Sequence, residues 1–350
     1  MSGALASPAT LAAAQPEGLG PYPALTRIRV VAVLGAGSVG ASWAALFLAK
    51  GWRVQAYDPS ADAEARARDF VIQAWPALTA LGVAKGATPP LDALQFFRSA
   101  AEAAKGADLV QENVPERLEL KASVLAEVDA VAPPQVPILS STGGIPPSQM
   151  QQACQHPQRV AVLHPFNPSH LVPLVEVVGG EATDPVLLEW VMALARHLGK
   201  QPIRVHAEAS GHLANRLQFA LVREAVQCLL DGMASAQDID NAVRYGLAPR
   251  WAFMGGLMTL HLAGGPGGMQ GILDHAGPAI EQWWTSRGVP TLDATTKARL
   301  VQASAELAGG HGVAEWVQWR DQQLVEVVRL QQQSRQTEPG VADPASGATA

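Results

Sequence analysis

The sequence predicts an α/β fold in which a doubly wound parallel sheet is followed by an all-α domain. In the first half of the chain, short apolar runs alternate with longer segments that carry apolar residues at helical spacing, as in a parallel sheet covered by helices. A glycine-rich turn, Gly35-x-Gly37-x-x-Gly40, joins the first apolar run to the first helical segment. From Gly211 onward the strand patterns end and long helical patterns replace them.

The predicted elements follow these patterns in order. Strands are predicted where apolar residues run for a few positions between turn residues: 29–34, 53–57, 108–111, 137–140, 159–163, 174–178 and 202–205. The long helices of the second half are predicted at 211–231, 236–245 and 313–333. We therefore expect an α/β domain at 26–206 and a helical domain at 207–330.

The two ends of the chain differ from the rest in composition. Residues 1–25 are rich in Ala, Gly and Pro, and residues 331–350 are polar with a Pro/Gly/Ala-rich end. Both are predicted to be disordered extensions. The first residues lack a basic cluster before an apolar core, so they do not predict a secretory signal.

Composition excludes several classes of function. The 350 residues carry a formal net charge of −6, which argues against a nucleic-acid or anionic-membrane surface. No apolar run reaches the ~20 residues of a membrane span. Cys154 and Cys228 stand alone without metal-ligand spacing, so we expect no metal site and a reducing, cytoplasmic setting.

The glycine turn predicts a bound dinucleotide and a Rossmann-type sheet. Gly35 permits the tight turn, Gly37 lets the backbone approach a pyrophosphate and Gly40 lets helix and strand pack closely, with Ser38 and Val39 in the same turn. Asp58, at the end of the next strand, would accept bonds from both adenosine ribose hydroxyls and repel a 2′-phosphate. Asp58 therefore favours NAD over NADP. The alternative to a dinucleotide site is a glycine-rich turn in another doubly wound fold.

Two polar residues lie in apolar strands further along. His164 directly follows the predicted strand 159–163, and Glu176 lies twelve residues later inside the predicted strand 174–178. A carboxylate in so apolar a strand needs a partner, and a carboxylate–His pair is suited to general-base catalysis. Their spacing alone also fits a structural His and an unrelated Glu. Asn215 lies one turn into the first helix of the second domain and could reach a site, although its position alone favours an ordinary polar first-turn residue.

Together, these segments resemble the 3-hydroxyacyl-CoA dehydrogenase superfamily. The resemblance covers roughly residues 28 to 330, in the family's order, and is carried by Gly35-x-Gly37-x-x-Gly40, Glu112-Asn113-Val114-Pro115-Glu116 with Lys121, Ser140-Ser141-Thr142, His164-Pro165-Phe166-Asn167-Pro168, Val175-Glu176-Val177-Val178 and Asn215-Arg216. It implies NAD as cofactor and a homodimer formed through the helical domain.

The resemblance also implies roles for individual residues. His164 is the expected general base, Glu176 its orienting partner and Asn215 the residue that positions the substrate oxygen. Glu112 and Lys121 are expected to contribute to cofactor binding. The family's catalytic Ser is replaced by Gly143, so Ser141 or Thr142 is expected to substitute for it.

The C-terminal half is most similar to the free-acid branch, which contains L-carnitine dehydrogenases and λ-crystallin-like L-gulonate 3-dehydrogenases. The segment from Gly246 to Gly255, with Arg250 and Trp251, carries this similarity. Arg250 is the expected partner of a substrate carboxylate. Trp251, with Trp283 and Trp284, could enclose a trimethylammonium group or could pack in a core or dimer interface.

The sequence therefore predicts NAD-dependent oxidation of a small free 3-hydroxy acid to the 3-keto acid, with L-carnitine as the favoured substrate. Residues 59–105 contain few basic side chains and a similar number of acidic ones. No cluster of positive charge that could bind the phosphates of CoA is evident there. The alternatives are an L-gulonate-like or generic 3-hydroxycarboxylate dehydrogenase, a short-chain 3-hydroxyacyl-CoA dehydrogenase, and a non-catalytic, crystallin-like NAD(H)-binding protein.

Overall fold

The structure is a computed structural model that describes residues 19–285 and 288–335. It divides into two compact units, with the division between His212 and Leu213. The predicted boundary, after residue 206, lies a few residues before this division.

The first unit is a twisted sheet with helices between its strands. Its strands are β1 (Val30–Leu34), β2 (Arg53–Tyr57), β3 (Leu94–Phe96), β4 (Leu109–Glu112), β5 (Ile138–Ser140), β6 (Val160–Pro165), β7 (Leu174–Gly179) and β8 (Gln201–Val205). Its α-helices are α1 (Ser38–Ala49), α2 (Ala63–Ala80), α3 (Ala100–Ala104), α4 (Leu118–Asp129), α5 (Pro147–Gln151) and α6 (Pro185–His197).

The sheet has the strand order β3-β2-β1-β4-β5-β6-β7-β8, which reverses direction at β1 as in a doubly wound nucleotide-binding fold. Neighbouring strands run parallel except for β6 and β7, which are antiparallel. The predicted fold class is confirmed. The short strand β3 was not predicted, because three residues between loops show too little periodicity.

The core lies on both faces of the sheet. All residues of β1, β4, β5 and β6 are buried, which explains why these strands begin as apolar runs, with polar residues only toward their carboxyl ends. On one face, Trp43 and Phe47 of α1 stack with ring centroids 5.4 Å apart.

The predicted disordered segments both extend too far into the chain. Tyr22 is buried in the core and its hydroxyl donates to Asp184, while the indole of Trp190 donates to the carbonyl of Pro23. These contacts fix residues 19–25 to the first unit because they satisfy buried polar groups. At the other end, the last helix continues to Ser334. Residues 1–18 and 336–350 of these two predicted segments lie outside the described residues.

All regular secondary structure in the described residues of the second unit is helical. Its helices are α7 (Ala214–Leu230), α8 (Ala236–Asn241), α9 (Ala248–Trp251), α10 (Gly256–Ala263), α11 (Gly268–Thr285), α12 (Ala294–Ala308) and α13 (Val313–Ser334). One π-helical segment, Ala242–Leu247, joins α8 to α9, where the sequence predicted a single helix. None of the helices in the described residues has the length and apolarity that a membrane span requires.

Candidate active site

The glycine turn has its three glycines for three different reasons. Gly35 has φ +82°, and a Cβ there would meet the carbonyl oxygen of Asn113 at 2.7 Å. A Cβ on Gly40 would overlap the carbonyl oxygen of Gly35, so α1 can approach the turn this closely only with glycine. A Cβ on Gly37 would meet nothing within 4 Å. Gly37 therefore leaves an open face at the start of α1, where N–H groups favour an anion.

Asp58 fastens this turn to the end of β2. Its Oδ2 accepts the backbone N–H of Ala36 at 2.8 Å and its Oδ1 accepts that of Ser60 at 3.0 Å. A carboxylate has further acceptor sites, and the side chain is only half-buried. Asp58 can therefore hold the turn and still accept a hydroxyl donor.

His164 and Glu176 form a direct pair across β6 and β7. They are register partners in the antiparallel pair, so their side chains lie on the same face. Nδ1 of His164 lies 2.7 Å from Oε2 of Glu176, and both residues are buried. A carboxylate only accepts, so Nδ1 carries the hydrogen and Nε2 keeps a lone pair. This arrangement can take a proton at Nε2 and stabilise the resulting imidazolium.

Ser141 and Thr142 follow β5, but their hydroxyl groups are engaged within the fold. Oγ of Ser141 accepts from the indole of Trp43 at 3.1 Å and from Gln111 at 2.8 Å, and donates to Asn113 at 2.7 Å. Oγ1 of Thr142 donates to Oε1 of Glu116 at 2.5 Å. These bonds shape the strand end. They do not support the expectation that either hydroxyl replaces the Ser missing at Gly143.

Two family models match the chain along nearly all of its described length. Residues 30–209 match the NAD-binding domain of 3-hydroxyacyl-CoA dehydrogenase, and residues 211–304 match its C-terminal domain. The chain belongs to the 3-hydroxyacyl-CoA dehydrogenase family. It is an NAD-dependent dehydrogenase that acts on a CH–OH group, as the sequence predicted.

Relatives and solved structures agree with this family. The chain is 44% identical over 311 residues to an L-carnitine dehydrogenase of Nocardiopsis dassonvillei, covering 89% of this chain and 94% of that protein. It is 45% identical over 302 residues to one of Streptomyces coelicolor, covering 86% and 94%. A crystal structure of 5-formyl-3-hydroxy-2-methylpyridine 4-carboxylic acid 5-dehydrogenase, described as an NAD+-dependent dismutase, superposes with TM-score 0.73 at 29% identity, covering 87% of this chain and 99% of the other.

NAD fits the residues of the first unit. The open face at Gly37 and the N-terminus of α1 suit the pyrophosphate, and Asp58 suits the adenosine ribose. Ser38 and Val39 form the first residues of α1, beside that face. The roles of these individual residues stay predictions.

Glu112 and Lys121 form a buried ion pair below the site. Nζ of Lys121 lies 2.9 and 3.2 Å from the two oxygens of Glu112 and donates to the carbonyl of Val114 at 3.0 Å. Oγ of Ser140 donates to the same carboxylate at 2.5 Å. Burial raises the pKa of Glu112, and the charge of Lys121 opposes that rise. These contacts indicate a supporting role and do not favour the direct cofactor contact expected from the resemblance.

Glu116 and His212 were not among the predicted site residues. The carboxylate of Glu116 is 47% exposed, accepts the N–H of Gly144 at 3.0 Å and lies 3.5 Å from Lys121. His212 is buried, and its ring centroid lies 5.5 Å from that of His164. Two glutamates, Glu112 and Glu116, precede a single Lys121 in the sequence, and this pattern could have indicated that Glu116 also pairs with the lysine. His212 carried no such signal, because it resembled an ordinary residue before a helix.

Three predicted site residues belong to the second unit. Asn215 lies in the first turn of α7. Arg250, in α9, donates to the carbonyl of Gly246 at 3.0 Å, and Trp251 ends the same helix with 41% of its surface exposed. Their roles toward the substrate stay predictions.

Proposed function

We propose that this enzyme oxidises the 3-hydroxyl group of a small free 3-hydroxy acid, with L-carnitine as the first candidate substrate. The observation that carries the proposal is the buried His164–Glu176 pair, which leaves a lone pair on Nε2 of His164. The identity of 44 to 45% to L-carnitine dehydrogenases over most of the chain supports this choice of substrate.

The chain's own residues supply the acid–base half of the reaction. Nε2 of His164 accepts the proton of the substrate hydroxyl, and the carboxylate of Glu176 stabilises the imidazolium that forms. When bound, NAD+ supplies the acceptor for the hydride from C3. Asn215 is the proposed residue that positions the substrate oxygen.

The charges of the first unit favour a cationic substituent. Glu112 and Glu116 share a single ammonium, that of Lys121. The excess of negative charge would attract a quaternary ammonium and repel a polyphosphate. A substrate carboxylate then needs a positive partner, for which Arg250 is our proposal because a guanidinium binds a carboxylate through two parallel bonds.

The three tryptophans that the sequence suggested cannot all contact one trimethylammonium group. Trp283 and Trp284 are consecutive in α11, so their side chains point about 100° apart around the helix. Only one of them can face the same ligand as Trp251. We therefore propose Trp251 with at most one of this pair as the aromatic contact.

The test is a substrate panel with the purified enzyme and NAD+. L-carnitine, L-gulonate, L-3-hydroxybutyrate and its CoA thioester are each assayed by NADH formation. Highest kcat/KM for L-carnitine supports the proposal. Preference for L-gulonate or for the thioester assigns one of the alternative dehydrogenases. NADH binding without turnover of any of these compounds contradicts an enzymatic role and favours the crystallin-like alternative.

We also propose a homodimer formed through the second unit. Among its described residues, the buried apolar side chains are those of Val226, Val325 and Val328, whereas Leu257 is 78% and Trp284 is 76% exposed. Helices with so much exposed apolar surface need a partner, and a second copy of the chain supplies one. Sedimentation velocity at micromolar concentration should give the mass of a dimer, and a monomer contradicts this proposal.

We further propose a cytoplasmic location. Cys154 and Cys228 are both free thiols, as a reducing compartment favours. Fractionation of the producing cells tests this directly.

A further inference from the structure

His212 is held in an unusual backbone conformation at the end of the first unit. Its φ is +46°, which non-glycine residues rarely adopt, and it follows Gly211 at φ +79°. The N–H of His212 closes a turn by donating to the carbonyl of Ala209 at 3.0 Å. This backbone conformation is unfavourable, so the contacts around His212 must hold the residue in it.

The imidazole of His212 is buried with one nitrogen satisfied and one not. Nε2 lies 3.0 Å from the carbonyl oxygen of Thr142, and the residue is 1% exposed. A carbonyl only accepts, so Nε2 carries the hydrogen and Nδ1 keeps its lone pair. Among the described residues, Nδ1 has no hydrogen-bond partner. A buried acceptor without a partner is unfavourable, which indicates that Nδ1 meets a donor during the reaction.

His164 is placed to become that donor. The two ring centroids are 5.5 Å apart with the planes inclined at 56°. Since Nδ1 of His164 donates to Glu176, each imidazole keeps a lone pair on its other nitrogen, and two lone pairs cannot bond to each other. Once His164 accepts the substrate proton at Nε2, that nitrogen becomes a donor, and the ring spacing leaves room for one water molecule or a small ring rotation.

We propose that His212 is a positioning residue for the general base, whose Nδ1 accepts a hydrogen bond from the protonated Nε2 of His164, directly or through one water. This inference rests on the proposed dehydrogenase reaction. The substrate proton goes to Nε2 of His164 and stays there until His164 releases it, and no proton is transferred to His212. His212 thus stabilises the protonated base from the side opposite Glu176.

The charged groups around His212 keep it neutral for this task. Burial lowers the pKa of His212, and the charge of His164 on β6 lowers it further. The Thr142 carbonyl, Glu176 on β7 and Glu116 before α4 act in the opposite direction. Because burial dominates, Nδ1 keeps its lone pair at neutral pH.

Two substitutions test the roles of the two ring nitrogens of His212 separately. His212→Asn places an amide oxygen near the position of Nδ1, tolerates the left-handed backbone and loses the bond to Thr142. His212→Gln places an amide nitrogen near the position of Nε2, keeps the bond to Thr142 and removes the acceptor. We expect kcat for oxidation to fall about tenfold in His212→Gln, with the acidic limb of its pH profile moved about 0.5–1 pH unit lower, and to change little in His212→Asn.

The outcomes distinguish this inference from the proposed function. If the wild-type enzyme oxidises no 3-hydroxy acid, the proposed function fails. If the wild type is active but the acidic limb stays in place in His212→Gln, or moves equally in both variants, His212 is only structural and the inference is overturned. NADH affinity and the melting temperature serve as controls for folding.

A measurement on the wild type covers the case in which His212→Gln does not fold. With ¹⁵N-labelled histidine, the Nδ1 resonance of His212 should shift as His164 titrates, while His212 itself stays neutral. An Nδ1 resonance that ignores the titration of His164 contradicts the inference.

Discussion

Gly40 lies against the carbonyl oxygen of Gly35 so closely that a methyl group on its Cα would overlap that oxygen. Gly40→Ala should therefore displace α1 from the sheet and destabilise the protein by about 2 kcal/mol or more. Gly37→Ala is the matched variant, since nothing lies within 4 Å of the added methyl group. It should unfold at the wild-type urea concentration and bind NADH at least tenfold more weakly. Equal stability of Gly40→Ala and the wild type would contradict the packing argument.

Substitutions in the His164–Glu176 pair are expected to reduce turnover without weakening NADH binding. His164→Ala and Glu176→Gln should each reduce kcat by about 10²–10⁴, because the first removes the base and the second no longer stabilises its protonated form. NADH affinity, measured by fluorescence titration, should stay near the wild-type value. His311→Ala, at an exposed site in the second unit, is the control and should keep full turnover. Near-normal turnover in His164→Ala would exclude His164 as the base.

The carboxylate of Asp58 is expected to make the enzyme prefer NAD+ to NADP+. Asp58→Asn removes one negative charge beside the glycine turn while its amide oxygen can still accept one of the two backbone N–H groups. We expect KM for NAD+ to rise by about 10-fold and the ratio of kcat/KM between NAD+ and NADP+ to fall. Asp69→Asn, on the exposed side of α2, should leave that ratio unchanged. An unchanged ratio in Asp58→Asn would show that other residues select the cofactor.

The buried Lys200 is expected to make the free energy of unfolding depend on pH. Its Nζ is buried and donates to the carbonyls of Ser169 and Val172. Burial, reinforced by the charge of Lys50, lowers the pKa of Lys200 to about 7. Between pH 7 and its ordinary value of 10.5 the unfolded chain binds the proton and the folded chain does not, so stability rises with pH.

Urea unfolding at pH 7, 8 and 9 measures this effect. Lys200 contributes a slope of at most about 1.4 kcal/mol per pH unit to the free energy of unfolding, and Lys200→Met should remove that part of the slope. Lys105→Met, at an exposed position, should retain it. The same slope in Lys200→Met and the wild type would mean that Lys200 titrates normally.

The sequence was most informative where local pattern and burial coincide. β1 and the first four residues of β6 were predictable because strands buried on both faces of a sheet require apolar runs, and β2 because its apolar residues Val54 and Ala56 alternate with more exposed ones. His164 and Glu176 were predictable as candidates because polar side chains in such strands need a reason to be there. β3 was not predictable, because its position depends on pairing with β2 and hardly on its own three residues.

Contacts between residues far apart in the chain were beyond prediction from the sequence. Trp43 and Ser141 are separated by 98 positions, so nothing local showed that the indole would take up the serine hydroxyl. The same holds for His212 and Thr142, which are 70 positions apart. The candidate site could thus be located from the sequence. Which of its polar groups are already hydrogen-bonded within the fold could be seen only in the structure.

The antiparallel pairing of β6 and β7 has a consequence for how the base is kept in place. Side chains alternate between the two faces along a strand, so a shift of β7 by one residue would carry Glu176 to the opposite face of the sheet. The carboxylate would then be buried without the imidazole, and Nδ1 of His164 would lose its acceptor. Such a shift would therefore reduce activity and stability together, and any variant that keeps both residues and folds with the native strand alignment also forms the His164–Glu176 pair.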